Sequence, residues 1–80
     1  MLYKKDLQKL VVEALEKNNG SASIVLVAKY IWVNYQKELE CSGDLFYTWQ
    51  YDIRWAKEEL IKHGIIKTTK LSKRGIWELK

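Results

Sequence analysis

The side chains with the most specific chemistry in this sequence are the cations of its last third. Residues 54–80 carry eight basic side chains against three acidic ones, whereas residues 1–53 carry six lysines against seven acidic residues. The formal net charge of +4 therefore comes entirely from residues 54–80. Such a concentration of positive charge attracts polyanions, and nucleic acid is the first polyanion to consider.

The sequence contains no constellation of residues that suits catalysis or metal binding. Cys41 is the only cysteine and His63 the only histidine, so neither an internal disulfide nor a Cys/His zinc cluster can form. Cys41 has no histidine near it in sequence, and His63 at a helix end is better suited to a favourable dipole interaction than to catalysis. We therefore expect no enzyme activity, no cofactor and no metal in this chain.

The length and composition predict one small domain over residues 1–80. The chain is 48% hydrophobic and 30% charged, which is ordinary for a globular protein. No apolar run approaches the ~18 residues of a membrane span, and the first residues lack the apolar segment of a signal peptide. A single cysteine also suits a reducing compartment. We expect a soluble protein of the cytoplasm.

The first helix is predicted at about Tyr3–Asn18. Its apolar residues recur at the spacing of one buried helical stripe. Asn18, Asn19 and Gly20 then end the helix, because Asn and Gly tolerate the left-handed backbone conformation. The residues of the stripe are Leu7, Leu10, Val11, Ala14 and Leu15.

The run of residues 24–39 is ambiguous by itself. The ten residues from Ile24 to Val33 carry one charge, Lys29, and are rich in β-branched side chains, which would fit a buried strand. The length of the run and its periodicity favour a helix, which Ser21 or Ser23 could cap. Two stripes predict that this second helix is covered on more than one side. They are Ile24, Ala28, Ile31 and Tyr35, and then Val25, Trp32 and Leu39.

The third helix is predicted at about Trp49–His63, with Gly43 turning the preceding loop and Asp44 able to cap the helix. The short run Leu45–Thr48 either opens this helix or leads into it. The helix should bury one narrow face and end at Gly64. The residues of that face are Trp49, Ile53, Ala56 and Leu60.

A basic hairpin is predicted after the third helix. Two short strands, Ile65–Lys70 and Ile76–Leu79, flank a polar turn at Leu71–Gly75. Trp77 and Leu79 share a face of the return strand and should cover the helices. Three helices followed by such a hairpin, the wing, predict an α+β fold of the winged helix-turn-helix class with a two- to three-stranded antiparallel hairpin.

The last third also resembles a known family, the N-terminal winged-helix domain of Mrr-type restriction proteins. The resemblance lies in Arg54-Trp55-Ala56, Leu60, Gly64 and Gly75-Ile76-Trp77, and more loosely in Gly20-Ser21-Ala22 before a long helix. It spans about residues 7–79 and is specific only in its last third. The resemblance implies a DNA-binding module, usually joined to a nuclease domain that cuts modified foreign DNA. This chain has no room for such a domain and shows no Asp…Glu-x-Lys metal-site pattern on a convincing core strand, so it is expected to be either an excised targeting domain or a small standalone protein.

The candidate DNA-binding residues lie on the third helix and the wing. Arg54 would grip a guanine or a phosphate, Gln50 would read adenine, and Lys57 would touch phosphate, although a merely solvated helix face explains the same residues. Glu58 and Glu59 repel phosphate, so only the first half of the helix should enter a groove, with these acids held away or paired to Lys62. Lys73 and Arg74 are the strongest candidates for phosphate contact, against the alternative of a charged turn that protects a sheet edge. The full set is Gln50, Tyr51, Arg54 and Lys57 on the helix and Lys70, Ser72, Lys73 and Arg74 on the wing.

The aromatic residues leave a second function open. Tyr51 and Trp55 could stack on a flipped or modified base, or be covered by the hairpin or by the loop before the third helix. Packing is favoured for Trp55 because tryptophans in small domains mostly pack. Ten aromatic residues among eighty are many for so small a core. The alternative to duplex DNA binding is therefore a protein-interaction winged helix that docks another subunit through exposed aromatics. The expected partners are double-stranded DNA, a fused or associated nuclease domain, or a second copy of the chain, but not a membrane.

Overall fold

The computed structural model of the protein describes residues 1–68 and 75–80. Within these residues the chain forms three helices and a two-stranded antiparallel sheet. The elements follow in the order α1 (Asp6–Lys17), β1 (Ser21–Ser23), α2 (Ile24–Glu40), α3 (Leu45–Lys62) and β2 (Ile76–Glu78). The predicted α+β class is confirmed at this level. No helix in the described part of the chain is both long and apolar enough to cross a membrane.

Helix α1 buries the stripe that its periodicity predicts. Leu7, Leu10, Val11, Ala14 and Leu15 are all buried. The helix begins at Asp6 rather than Tyr3, since the Asp6 carboxylate accepts a hydrogen bond from the Tyr3 backbone N–H at 2.8 Å and holds the residues before it in a turn.

The predicted stop after α1 is confirmed in detail. Asn19 adopts a left-handed backbone conformation with φ of 62°, the only positive φ at a non-glycine residue of the described chain. The Gly20 N–H then returns to the Leu15 carbonyl at 2.7 Å, which satisfies a carbonyl of the last helical turn.

Helix α2 resolves the ambiguity of the central run in favour of a helix. The Ser23 hydroxyl caps it by accepting the Leu26 N–H at 3.3 Å. The helix is distorted at Tyr35, whose φ of −130° is outside the helical range. Of the two predicted stripes, Ile31 and Leu39 are fully buried, while the partly buried members Ile24, Ala28, Trp32 and Tyr35 pack against the core.

The prediction for Val25 is wrong. Its side chain is 58% exposed, whereas Val27, which neither stripe included, is fully buried. The cause is that α3 does not cover the first turns of α2 on the Val25 side, where an open groove separates the two helices.

Helix α3 begins at Leu45, so the apolar run before Trp49 opens the helix. The predicted core face of Trp49, Ile53, Ala56 and Leu60 is buried. Asp44 stands at the N-cap position, but its side chain makes no capping hydrogen bond, and that prediction is wrong. The loop is held instead by the buried Ser42 hydroxyl, which accepts the Leu2 N–H at 2.8 Å and donates to the Glu38 carbonyl.

Gly64 ends α3 as predicted. Its φ is 74°, and the Ile65 N–H returns to the Leu60 carbonyl at 2.9 Å. The Gly64 N–H bonds the Ile61 carbonyl at 3.0 Å, which completes a Schellman motif. The chain thereby turns back toward the sheet within two residues.

The sheet joins the loop after α1 to the end of the chain. Ala22 of β1 lies opposite Trp77 of β2, with Ser21 paired to Glu78 and Ser23 to Ile76. The strand at Ser21–Ser23 was not predicted, because three small residues carry no β-propensity signal. Trp77 is only 7% exposed and Leu79 is partly buried, so the predicted covering face of the return strand is confirmed.

The first strand of the predicted hairpin, Ile65–Lys70, lies only partly within the described residues. Ile66 forms a bridge with Leu79, and the Lys67 N–H bonds the Glu78 carbonyl at 2.8 Å. The predicted strand Ile65–Lys70 therefore pairs with the return strand at its first residues. Its last two residues, and residues 71–74 of the predicted turn, lie outside the described residues.

Candidate nucleic-acid interface

Three of the predicted contact residues lie together on the solvent side of α3. Gln50, Tyr51 and Arg54 are all exposed, and the Tyr51 side chain is 74% exposed. Arg54 forms no ion pair with any residue that the structure describes. An unpaired guanidinium beside an amide and a phenol is able to bind phosphate or the edge of a base.

Lys57 has a different environment from Arg54. Its side chain is only 17% exposed, and the ammonium lies 3.1 Å from a carboxylate oxygen of Glu58. The same ammonium stands 5.6 Å from the centroid of the Trp77 ring. Lys57 is thus engaged within the chain, and its contact with phosphate stays a prediction.

The acidic residues of α3 are held by their neighbours. Glu59 pairs with Lys62 at 3.1 Å, as predicted, and Glu58 pairs with Lys57. Asp52 accepts a hydrogen bond from the Thr48 hydroxyl at 2.8 Å. Pairing reduces the field with which these carboxylates would repel a phosphate backbone.

Trp55 is partly buried against the core, which confirms the packing that the sequence analysis favoured. The Lys4 ammonium lies 4.6 Å from the centroid of its ring. No pattern in the sequence connects Lys4 with Trp55, because only the fold brings the start of the chain beside α3. Tyr51, in contrast, stays open to solvent.

The first turn of α2 lies next to Arg54. A small cleft of about 170 Å³ separates the two and is lined by Ile24, Val25, Ala28, Gln50, Ile53 and Arg54. The first turn of α2 contains no acidic residue. The backbone N–H groups and positive dipole end of α2 therefore add to the charge of Arg54 on the same side of the molecule.

The wing residues Lys70, Ser72, Lys73 and Arg74 lie outside the described residues. The residues that flank them are held in place. Lys67 pairs with Glu78 at 3.2 Å across the two arms, and Gly75 leaves the turn with φ of 78°.

A second polar cluster, which the sequence analysis missed, joins α1 to α2. The Glu13 carboxylate accepts hydrogen bonds from the hydroxyls of Tyr30 at 2.9 Å and Tyr35 at 2.5 Å. These hydrogen bonds lower the pKa of Glu13, and the one from Tyr35 has the larger effect. The positive charges of Lys17 and Lys9 lower it further. The carboxylate in turn raises the pKa of Tyr35 to about 12. The sequence does not predict this contact, because Glu13 is 17 positions from Tyr30 and 22 from Tyr35 and no motif links them.

The described residues contain no group of three or more His, Cys, Asp and Glu side chains placed to hold a metal ion. Comparison of the chain with protein-family models, with curated proteins and with solved structures finds no match.

Proposed function

We propose that the chain is a winged-helix module that binds double-stranded DNA, with α3 as the recognition helix and the hairpin after it as the wing. The observation that carries the proposal is the exposed Arg54 on α3, which no described residue pairs and which stands beside the first turn of α2. A helix presented in this way can enter a major groove.

The topology supports the same proposal. A strand stands between the first two helices and pairs with the last strand, and the chain leaving α3 pairs with that last strand again at Ile66 and Leu79. Lys67 and Glu78 are therefore neighbours, since the Lys67 N–H bonds the Glu78 carbonyl at 2.8 Å, and such pairing is expected of the two arms of a wing. Lys57 and Trp77 bring β2 against α3, so that the wing would lie beside the recognition helix.

In this proposal the contacts divide between the two elements. Arg54 binds a guanine edge or a phosphate, Gln50 is able to read adenine, and Tyr51 contacts the sugar-phosphate backbone or a base. Lys70, Ser72, Lys73 and Arg74 of the wing contact phosphate. The resemblance to the N-terminal domain of Mrr-type restriction proteins favours a role in directing a nuclease to DNA in the cytoplasm. Alternatively, the chain binds DNA as a small standalone protein.

The proposal is tested by the affinity for a random-sequence duplex, measured by fluorescence anisotropy. Arg54→Ala should weaken binding by about tenfold, the effect of losing one good charged contact. Lys37→Ala is the matched control, because it removes one positive charge from the last turn of α2 and should leave the affinity within about twofold. Equal effects of the two substitutions would mean that only net charge matters and that α3 is not the recognition helix.

A further inference from the structure

An open apolar groove runs between α2 and α3. It has a volume of about 390 Å³ and is lined by Val25, Ala28, Lys29, Trp32, Trp49 and Gln50. Its wall is a stacked pair of tryptophans, since the rings of Trp32 and Trp49 are 6.1 Å apart and inclined by 3°. The neighbouring cleft shares Val25, Ala28 and Gln50 and extends the groove as far as Arg54.

Several large apolar side chains on α2 and α3 are exposed to solvent at or near the groove. Val25 is 58% exposed at its edge, and Leu26 beside it in α2 is 47% exposed. Tyr47 on the following helix is 82% exposed. Exposed apolar side chains beside an apolar groove are typical of a binding site.

The charged side chains that line the groove and the cleft are both positive. They are Lys29 and Arg54, and no acidic residue is among the described residues of either lining. Among the described residues, Lys29 and Arg54 form no ion pair, whereas Lys57, Lys62 and Lys67 are each paired with a glutamate. The groove is therefore an apolar surface that lies between Lys29 and Arg54, two positive charges without an ion pair among the described residues.

We propose that this groove docks an acidic amphipathic helix of a partner protein. An apolar side chain of the partner packs against Val25 and Trp32, and its carboxylates face Lys29 and Arg54. This is the helix-in-groove mode of recognition, in which apolar anchors give affinity and complementary charge selects the partner.

Two other occupants fit the groove less well. A second copy of this chain would bring Lys29 and Arg54 against the same cations, because a two-fold interface places one patch against itself. A nucleic-acid base would need an open aromatic face, but Trp49 stacks on one face of Trp32 and Phe46 also packs beside that ring, with centroids 6.4 Å apart. The proposal does not depend on DNA binding, although Arg54 is common to both surfaces.

The test uses a fluorescein-labelled helical peptide of about 16 residues with Leu and Phe on one face and Glu on the other. A companion peptide keeps every Glu and replaces Leu and Phe by Ser. Anisotropy titration should show the companion binding at least about tenfold more weakly, because it lacks the apolar anchors.

Two matched pairs of variants locate the binding. Val25→Glu should weaken binding of the Leu/Phe peptide by about tenfold or more, whereas Val33→Glu, at a valine of the same helix that is 76% exposed, should change it by less than about twofold. Lys29→Glu should likewise weaken binding more than Lys37→Glu, since only Lys29 lines the groove. Circular dichroism and thermal unfolding of each variant check that both members of a pair stay folded.

The proposal is overturned if the two peptides bind equally, or if Val33→Glu weakens binding as much as Val25→Glu. It is also overturned if the Leu/Phe peptide fails to bind. If a single-stranded thymidine oligonucleotide then binds and loses affinity on Val25→Glu, the groove is assigned to nucleic acid.

Discussion

The Lys57 ammonium lies 5.6 Å from the centroid of the Trp77 ring, and this contact links α3 to the last strand. Trp77 is in turn paired with Ala22 of β1, so the buried Trp77 side chain contacts both α3 and the sheet. The position of the proposed wing relative to α3 therefore depends on Trp77.

Trp77→Ala should be among the most destabilising single substitutions in the described chain. Removing a buried tryptophan leaves a cavity and typically costs about 3–5 kcal/mol in the free energy of unfolding. Urea denaturation followed by circular dichroism measures this loss. Tyr47→Ala is the control, because that side chain is 82% exposed, and it should change the free energy of unfolding by less than about 0.5 kcal/mol.

Lys57→Ala should affect the fold more than Arg54→Ala and DNA binding less. Loss of the contact with the Trp77 ring should lower the free energy of unfolding by about 0.5–1 kcal/mol. Its ion pair with Glu58 adds little near solvent. If Lys57→Ala instead weakens duplex binding as strongly as Arg54→Ala and leaves stability unchanged, Lys57 is a phosphate contact, as the sequence predicted.

The Glu13 cluster predicts a characteristic dependence of stability on pH. The folded state lowers the pKa of Glu13, so its contribution is present above the ordinary value of 4.5 and is lost as the pH falls through the lowered pKa. The pKa of Tyr35 is raised to about 12, so its contribution is present below pH 10.0 and is lost as the pH rises from 10.0 to about 12.

Tyr35→Phe isolates this cluster. It should cost about 1 kcal/mol at neutral pH, the usual net value of one hydrogen bond near solvent, and less at pH 3. An NMR titration should show the pKa of Glu13 moving up toward its ordinary value. Tyr51→Phe, at an exposed tyrosine, should leave both quantities unchanged. A Glu13 pKa that does not move in Tyr35→Phe contradicts the assignment.

Helices α1 and α3 were predictable from the sequence because their signals are local, whereas the run that forms α2 also fitted a strand. The stripe from Leu7 to Leu15 and the face from Trp49 to Leu60 repeat at the helical period, and Gly64 marks a helix end through its backbone freedom. The strand at Ser21–Ser23 was not predictable, since it is defined by its pairing with β2, in which Ala22 lies opposite Trp77, fifty-five positions away in sequence.

Some features of the candidate site were likewise predictable from local sequence, and others depend on how distant elements pack. Exposure of Arg54 and Gln50 follows from the helical period once the buried face of α3 is known. The pairing of Lys57 with Trp77, the position of Lys4 over Trp55 and the exposure of Val25 depend on how distant elements pack. Periodicity predicts which sides of a helix are apolar, but not whether a neighbour covers them.

The most direct test of DNA binding is the salt dependence of affinity for a random duplex. With about four to five phosphate contacts, log affinity should fall against log salt with a slope of about −4. The double substitution of Lys73 and Arg74 by Ala should weaken binding to all sequences alike and flatten the slope by about 2. A dissociation constant weaker than about 10⁻⁴ M at physiological salt would contradict the proposal that this chain binds duplex DNA. A double variant that binds as well as the unchanged protein would contradict the assignment of the wing as a phosphate contact.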